Sequence, residues 1–217
     1  MKMKQNIAFP AKKNEYDLCA YTPNAVIKYS CATFFLETQY LERFMNKPYF
    51  DKLCHDGCPN YGSKWSCPPY SPDYCCFVKD YKYINVVMLL VKLEEFSYIN
   101  QGYLKVKAAN SVLKSRIDRA LRFSKNNEEF YISTGSCRLC KPCKKKQNEK
   151  CAHPNEHTYS FEALGINVSA LTVDLFETEL LWYKQKNLPE YTCVVGGLLT
   201  NCETNYDKVI EYLKKLG

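Results

Sequence analysis

Tyr83–Leu93, YINVVMLLVKL, is almost wholly apolar and rich in β-branched residues. A strand covered on both faces of a sheet carries that pattern, whereas a strand with one wet face alternates polar and apolar residues. From Gly102 the period changes. Val106, Ala109, Leu113, Ile117, Ala120 and Leu121 recur at three- and four-residue spacing with Lys and Arg between them, which predicts an amphipathic helix. Glu129–Ser133, EFYIS, reads as a second strand that runs straight into Gly135. Strand, helix and strand in that order predict a crossover unit, and so an α/β fold.

Outward from this unit, Thr33–Lys52 carries Phe35, Leu36, Tyr40, Leu41 and Phe44 at helical spacing and predicts a helix interrupted near Pro48. Phe161–Phe176 predicts a helix followed by a strand, Tyr191–Leu199 (YTCVVGGLL) a strand, and Asp207–Leu216 a final amphipathic helix. No repeat, low-complexity tract or linker divides the chain. Residues 1–217 are therefore read as a single compact α/β domain with a crossover-connected sheet and two cysteine-rich loops, at about 54–76 and 137–153. With 217 residues, 46% of them hydrophobic, the chain can bury an ordinary core.

The longest apolar run, Val86–Val91, is far shorter than the roughly 20 residues a membrane-spanning helix needs, so no membrane span is expected. The N-terminal MKMKQNIAFPAKKNEYD lacks the apolar centre of a signal peptide. Thirteen cysteines are an odd number in a chain too long for a disulfide-stapled mini-protein. Together these features predict a protein of the reducing cytoplasm.

The cysteines are clustered: five lie in Cys54–Cys76, four in Cys137–Cys151, and none between Phe77 and Ser136. Packing cysteines scatter along apolar faces, but these sit among Gly, Pro, Asn and Lys, as ligand sets do. Cys137, Cys140, Cys143 and Cys151 spell C-x2-C-x2-C-x7-C. Three thiolates at this interval can each reach a different iron at one corner of a [4Fe-4S] cube, with a fourth from farther along closing it, and a bacterial ferredoxin run begins with the same spacing. Zinc is the rival, with Cys151 and His153 as a second ligand pair, but four-coordinate zinc would leave one cysteine idle. Lys141, Lys144, Lys145, Lys146 and Lys150 surround this loop. With little arginine and no interleaved aromatics, they read as compensation for cluster charge, and no nucleic-acid partner is expected. Two cores with four thiolates each, at about −2 apiece, would bring the formal +7 to roughly +3.

In the first loop, LCHDGCPNYGSKWSCPPYSPDYCC, the glycines and prolines predict a shaped loop without regular helix. Cys54, Cys58 and Cys67 are its ligand candidates. Cys75 or Cys76 can complete the set, or one iron keeps an open position able to act as a Lewis acid. His55 and Asp56 read as turn residues. Ser160 suits a helix N-cap and Glu162 the first helical turn; Glu162 is also the candidate catalytic residue, as a proton donor to a bound substrate. His153 and His157 are separated by Pro154 and are not read as a metal pair. Cys19, Cys31, Cys193 and Cys202 stand alone, Cys193 as a strand residue. Gly196-Gly197 is too short for a phosphate loop, and no nucleotide fingerprint occurs.

The string C-x3-C-P-x-Y-G-x-x-W-x-C-P-P, the later C-x2-C-x2-C with C-x-H-P, and S-x-E-A-x-G-I-x-V resemble a family of cysteine-rich predicted metal-binding proteins found mainly in anaerobic archaea and bacteria. The resemblance covers about residues 53–173. It implies Cys54, Cys58, Cys67, Cys137, Cys140, Cys143 and Cys151 as metal ligands. Where that family often has Arg-Pro before the Ser-x-Glu-Ala string, this chain has Thr158-Tyr159. The leading functional expectation is a cytosolic iron-sulfur protein with two [4Fe-4S] clusters that exchanges low-potential electrons with a redox partner protein. The second is a sulfur-chemistry enzyme with an open iron at Cys54, Cys58 and Cys67, acting on a small sulfur-containing substrate. The third is a zinc-stabilised binding module.

Overall fold

The computed structural model describes residues 12–203 and 208–216. Most of the N-terminal stretch read for a targeting signal, residues 1–11, and Asp207 of the expected final helix lie outside them. Among the described residues five strands form one sheet: β1 (Lys12–Tyr21), β2 (Val26–Glu37), β3 (Tyr83–Lys92), β4 (Phe130–Ile132) and β5 (Tyr191–Thr200). Their spatial order is β1-β2-β3-β5-β4, and every neighbouring pair is antiparallel. The helices are α1 (Lys47–Gly57), α2 (Tyr74–Val78), α3 (Gly102–Ser124), α4 (Val168–Phe176) and α5 (Lys208–Lys215).

β3 is the central strand, and its residues are buried on both sides as its composition requires. Val87, Leu89 and Val91 face a core completed by Ala109, Leu113 and Ile117 of α3 and by Val209 and Leu213 of α5. Ile84, Val86 and Met88 face a second core completed by Leu41, Phe161 and Ile166 and by Leu171 and Leu175 of α4. Burying these side chains against a helical layer on each face supplies about 1.5–3 kcal/mol apiece. The crossover is present in split form. β3 and β4 each run antiparallel to β5, hence parallel to one another, and β5 lies between them. Gly196 and Gly197 make this insertion possible, since a Cβ at Gly196 would stand 2.6 Å from Leu121 Cδ1 and one at Gly197 2.8 Å from Ile84 Cδ1.

Three expectations are corrected. Thr33–Glu37 is the end of β2, and Thr38–Phe44 is a 3-10 helix, not the start of an α-helix. Phe35 and Leu36 are successive and both buried, which a strand between two cores allows and which imitates helical spacing. Pro48 does not interrupt a helix but occupies the first turn of α1, where its missing N–H has no partner to lose. Phe161–Phe176 is a turn followed by α4, capped by Asn167 Oδ1 on the Ala170 N–H at 3.0 Å, with no strand.

Candidate metal centre

The first loop is less irregular than its prolines and glycines suggested, because helices close both of its ends. Asn46 caps α1 through Oδ1 to the Tyr49 N–H, and the helix runs to Gly57. Cys54 therefore lies in the last turn of α1, while Cys58 is its C-cap and donates its N–H to Cys54 O at 3.0 Å. The four-residue interval puts the two cysteines one helical turn apart. Beyond Cys58 the chain folds on itself: Gly62, at φ +63, donates to Pro68 O at 2.9 Å, and Cys67 donates to Lys64 O at 3.2 Å. This returns the buried Cys67 toward the start of the loop. Burial pushes the Cys54 thiol up to about 11, and the neighbouring Cys58, Cys67, Glu162 and Asp51 push in the same direction. The Cys67 thiol is raised chiefly by burial, against the lowering effect of the Ser66 hydroxyl.

The second loop leaves the sheet after β4 and returns at Tyr159, where the Ser133 N–H donates to Tyr159 O at 2.8 Å and Thr158 Oγ1 donates to Tyr131 O at 2.5 Å. Its outer part rests on the first loop. The Cys137 N–H donates to Ser66 Oγ at 2.9 Å, Lys64 Nζ to Ser136 Oγ at 2.7 Å, and Trp65 Nε1 to Glu149 O at 3.0 Å. The Lys145 ammonium lies 5.1 Å from the Trp65 ring centre and 4.7 Å from that of Tyr70. Cysteines far apart in the chain become neighbours through this buckle: Cys143 is among the groups raising the Cys67 thiol, and Cys137 and Cys151 both raise the Tyr159 phenol, whose shift comes mainly from burial. Ser66, Lys64, Trp65 and Tyr159 escaped the sequence reading because nothing local marks a residue that fastens two loops.

Glu162 lies at the same junction. Ser160 caps a single turn through its Oγ to the Ala163 N–H at 3.3 Å, and does not start a helix. Gly165 then adopts φ +90, with its position tight against Lys47, where a Cβ would come within 2.7 Å of Lys47 Cα. Its carbonyl accepts from the Asn46 N–H at 2.7 Å, and the Asn167 N–H donates to Phe44 O at 2.9 Å. The turn that carries Glu162 is thus fixed on the entrance of the helix that carries Cys54.

Other cysteines sit elsewhere. Cys75 lies 3.8 Å from Met45 Sδ with Glu42 nearby, and Cys76 is exposed beside Asp73. Neither is among the groups acting on Cys54 or Cys67. Both belong to α2, not to irregular loop. Cys19 and Cys31 are in β1 and β2, Cys193 is in β5, and Cys202 is exposed after it. His55 pairs with Asp56 at 2.9 Å and stacks edge-on with Tyr61, His153 faces Glu156 at 3.7 Å, and His157 Nε2 meets the Tyr159 hydroxyl at 2.7 Å.

All thirteen cysteines are free thiols, and seven of them, Cys54, Cys58, Cys67, Cys137, Cys140, Cys143 and Cys151, line these two buckled loops. Thiol donors of this number suit an iron-sulfur group or zinc. Among the described residues no three His, Cys, Asp or Glu side chains close on a single-ion site, and no helix is long and apolar enough to cross a membrane. No curated protein and no solved structure matches the chain. A family model described as predicted metal-binding protein (DUF2284) matches residues 42–200, which include both cysteine loops, the Glu162 turn and the sheet from β3 to β5. The chain belongs to this DUF2284 family of predicted metal-binding proteins.

Proposed function

We propose that the protein is an iron-sulfur protein with two [4Fe-4S] sites, one held by Cys137, Cys140, Cys143 and Cys151 and the other by Cys54, Cys58 and Cys67, and that it transfers electrons in the cytoplasm. The observation that carries this reading is the buckle between the loops, in which Ser66, Lys64 and Trp65 hold one cysteine set against the other. When bound, such clusters accept and release single electrons at low potential. The chain's own residues supply the rest. Cys67 and its surroundings shield the first site from water, and Lys141, Lys146 and Lys150 form an exposed positive rim around the second. That rim suits an acidic redox partner. Anaerobically purified protein is expected to be brown, with iron and sulfide in equal amounts and a reduced-state EPR signal; zinc in place of iron overturns the reading. Cys140→Ser should remove about half of the iron while leaving the first site filled.

A second reading, favoured by the position of Glu162 beside Cys54, is that the first site is catalytic, with one iron bearing no cysteine. Glu162 would then hold or deliver a proton at its carboxylate, next to a small sulfur-containing substrate. The double change Cys75→Ser, Cys76→Ser separates the two readings. Full iron content, with an EPR signal at one site that shifts on addition of cyanide, supports the catalytic reading. Loss of the first site's iron identifies a cysteine ligand and returns the protein to electron transfer alone.

A further inference from the structure

β5 outruns its neighbour. β4 covers only Gly197, Leu198 and Leu199, so on that side no strand among the described residues pairs with Thr192–Val195. The space is closed instead by one face of α3, by the segment 180–183 and by the Glu162 turn, leaving a cavity of about 140 Å³. That is far more than the ~15 Å³ one water requires and well below the ~300–1,000 Å³ of pockets for drug-sized ligands. It has room for a small metabolite.

The walls of this cavity are chemically specific. Thr192 Oγ1 donates to Asn110 Oδ1 at 3.1 Å, and Asn110 Nδ2 donates to Val106 O at 3.1 Å, which fixes the amide in place. Lys114, one helical turn beyond Asn110, brings a cation, and Glu162 brings a carboxylate from a different element. Both are half-buried, and neither side chain forms a hydrogen bond or ion pair with a described residue. Two opposite charges share one cavity without satisfying each other, and partial burial makes an unmatched charge costly. A ligand that carries an anion at one end and an ammonium at the other satisfies both. The exposed indole of Trp182 and the buried side chain of Val168 add apolar surface to the same cavity.

We propose that this cavity binds a small zwitterionic α-amino acid, its carboxylate on Lys114 and its ammonium on Glu162. The ammonium end then lies toward the cysteine loops, since Glu162 is also a neighbour of Cys54. None of the seven candidate ligand cysteines lines the cavity, so binding goes beyond the iron-sulfur reading and does not depend on it.

The test is calorimetric titration of the anaerobically purified protein with L-alanine and L-serine, against acetate and methylammonium as single-charge controls. The quenching of Trp182 fluorescence gives a second readout, with Trp182→Phe showing which of the two tryptophans reports. Saturable binding of the amino acids, with each control at least about tenfold weaker, is expected. Lys114→Met and Glu162→Gln should each weaken binding about tenfold or more, with Lys114→Arg largely restoring it and the thermal midpoint checking the fold of each variant. No saturation below about 10 mM, acetate binding as tightly as L-alanine, or folded variants that bind like the parent overturns the proposal. If a variant fails to fold, the ligand comparison on the parent still decides. Protein that lacks iron yet binds L-alanine would sink the two-cluster reading and leave this one standing.

Discussion

Of the two cysteine loops, the first is fastened at both ends by helices, while the second is pinned at its neck and on the first loop. α1 carries Cys54 and ends at Cys58, and α2 takes over at Tyr74, whose buried hydroxyl donates to Thr38 O at 3.1 Å. The second loop has its neck at Ser133 and Tyr159, a short 3-10 turn at Lys144–Gln147, and otherwise leans on Ser66, Lys64 and Trp65. The difference teaches a hierarchy: the first loop takes its shape from helices anchored on the body of the fold, and the second borrows part of its shape from the first.

The strongest blow to this hierarchy falls at Gly165. Gly165→Ala combines a positive φ with a Cβ 2.7 Å from Lys47 Cα, and should cost about 3 kcal/mol, because backbone strain and overpacking add. Urea unfolding measures it; a cost near zero would mean that α1 is not held by the Glu162 turn. Ser66→Ala comes next. It removes the acceptor for the Cys137 N–H and should cost about 1 kcal/mol. Limited proteolysis should then cut within residues 137–153 faster while cleavage in the first loop is unchanged, and equal acceleration in both loops breaks the hierarchy. The smallest expected effect is Lys145→Gln, which gives up the ammonium contacts to Trp65 and Tyr70 and should cost about 0.5 kcal/mol. A double-mutant cycle with Tyr70→Phe sharpens the point, since a ring of either kind attracts the ammonium and the coupling should stay near zero.

Much of the frame was legible because β3, α3 and β5 each carry a clear pattern. β3 is almost wholly apolar, α3 repeats at three and four, and β5 reads as the strand it is. The split of the crossover was not legible, since no local pattern says that a strand from the far end of the chain inserts between β3 and β4. Thr33–Glu37 misled because a strand lying between two cores buries consecutive residues, so its period of two disappears. For the candidate site, the cysteine spacing separated two sets at once. Their contact could not be read, because Ser66 and Cys137 are brought together only by the fold, and Glu162 gained its place beside Cys54 through the packing of Gly165 on Lys47, a contact that no local pattern marks.

Among the described residues the sheet ends in β1 on one side and β4 on the other. β1 alternates, and places Glu15 and Asp17 along a margin that would otherwise invite another chain to pair. β4 is three residues long, too short to template a partner strand. Charge at one border and brevity at the other are the devices by which open sheets resist edge-to-edge growth. Both borders of this sheet thus offer a second copy of the chain little on which to pair its backbone.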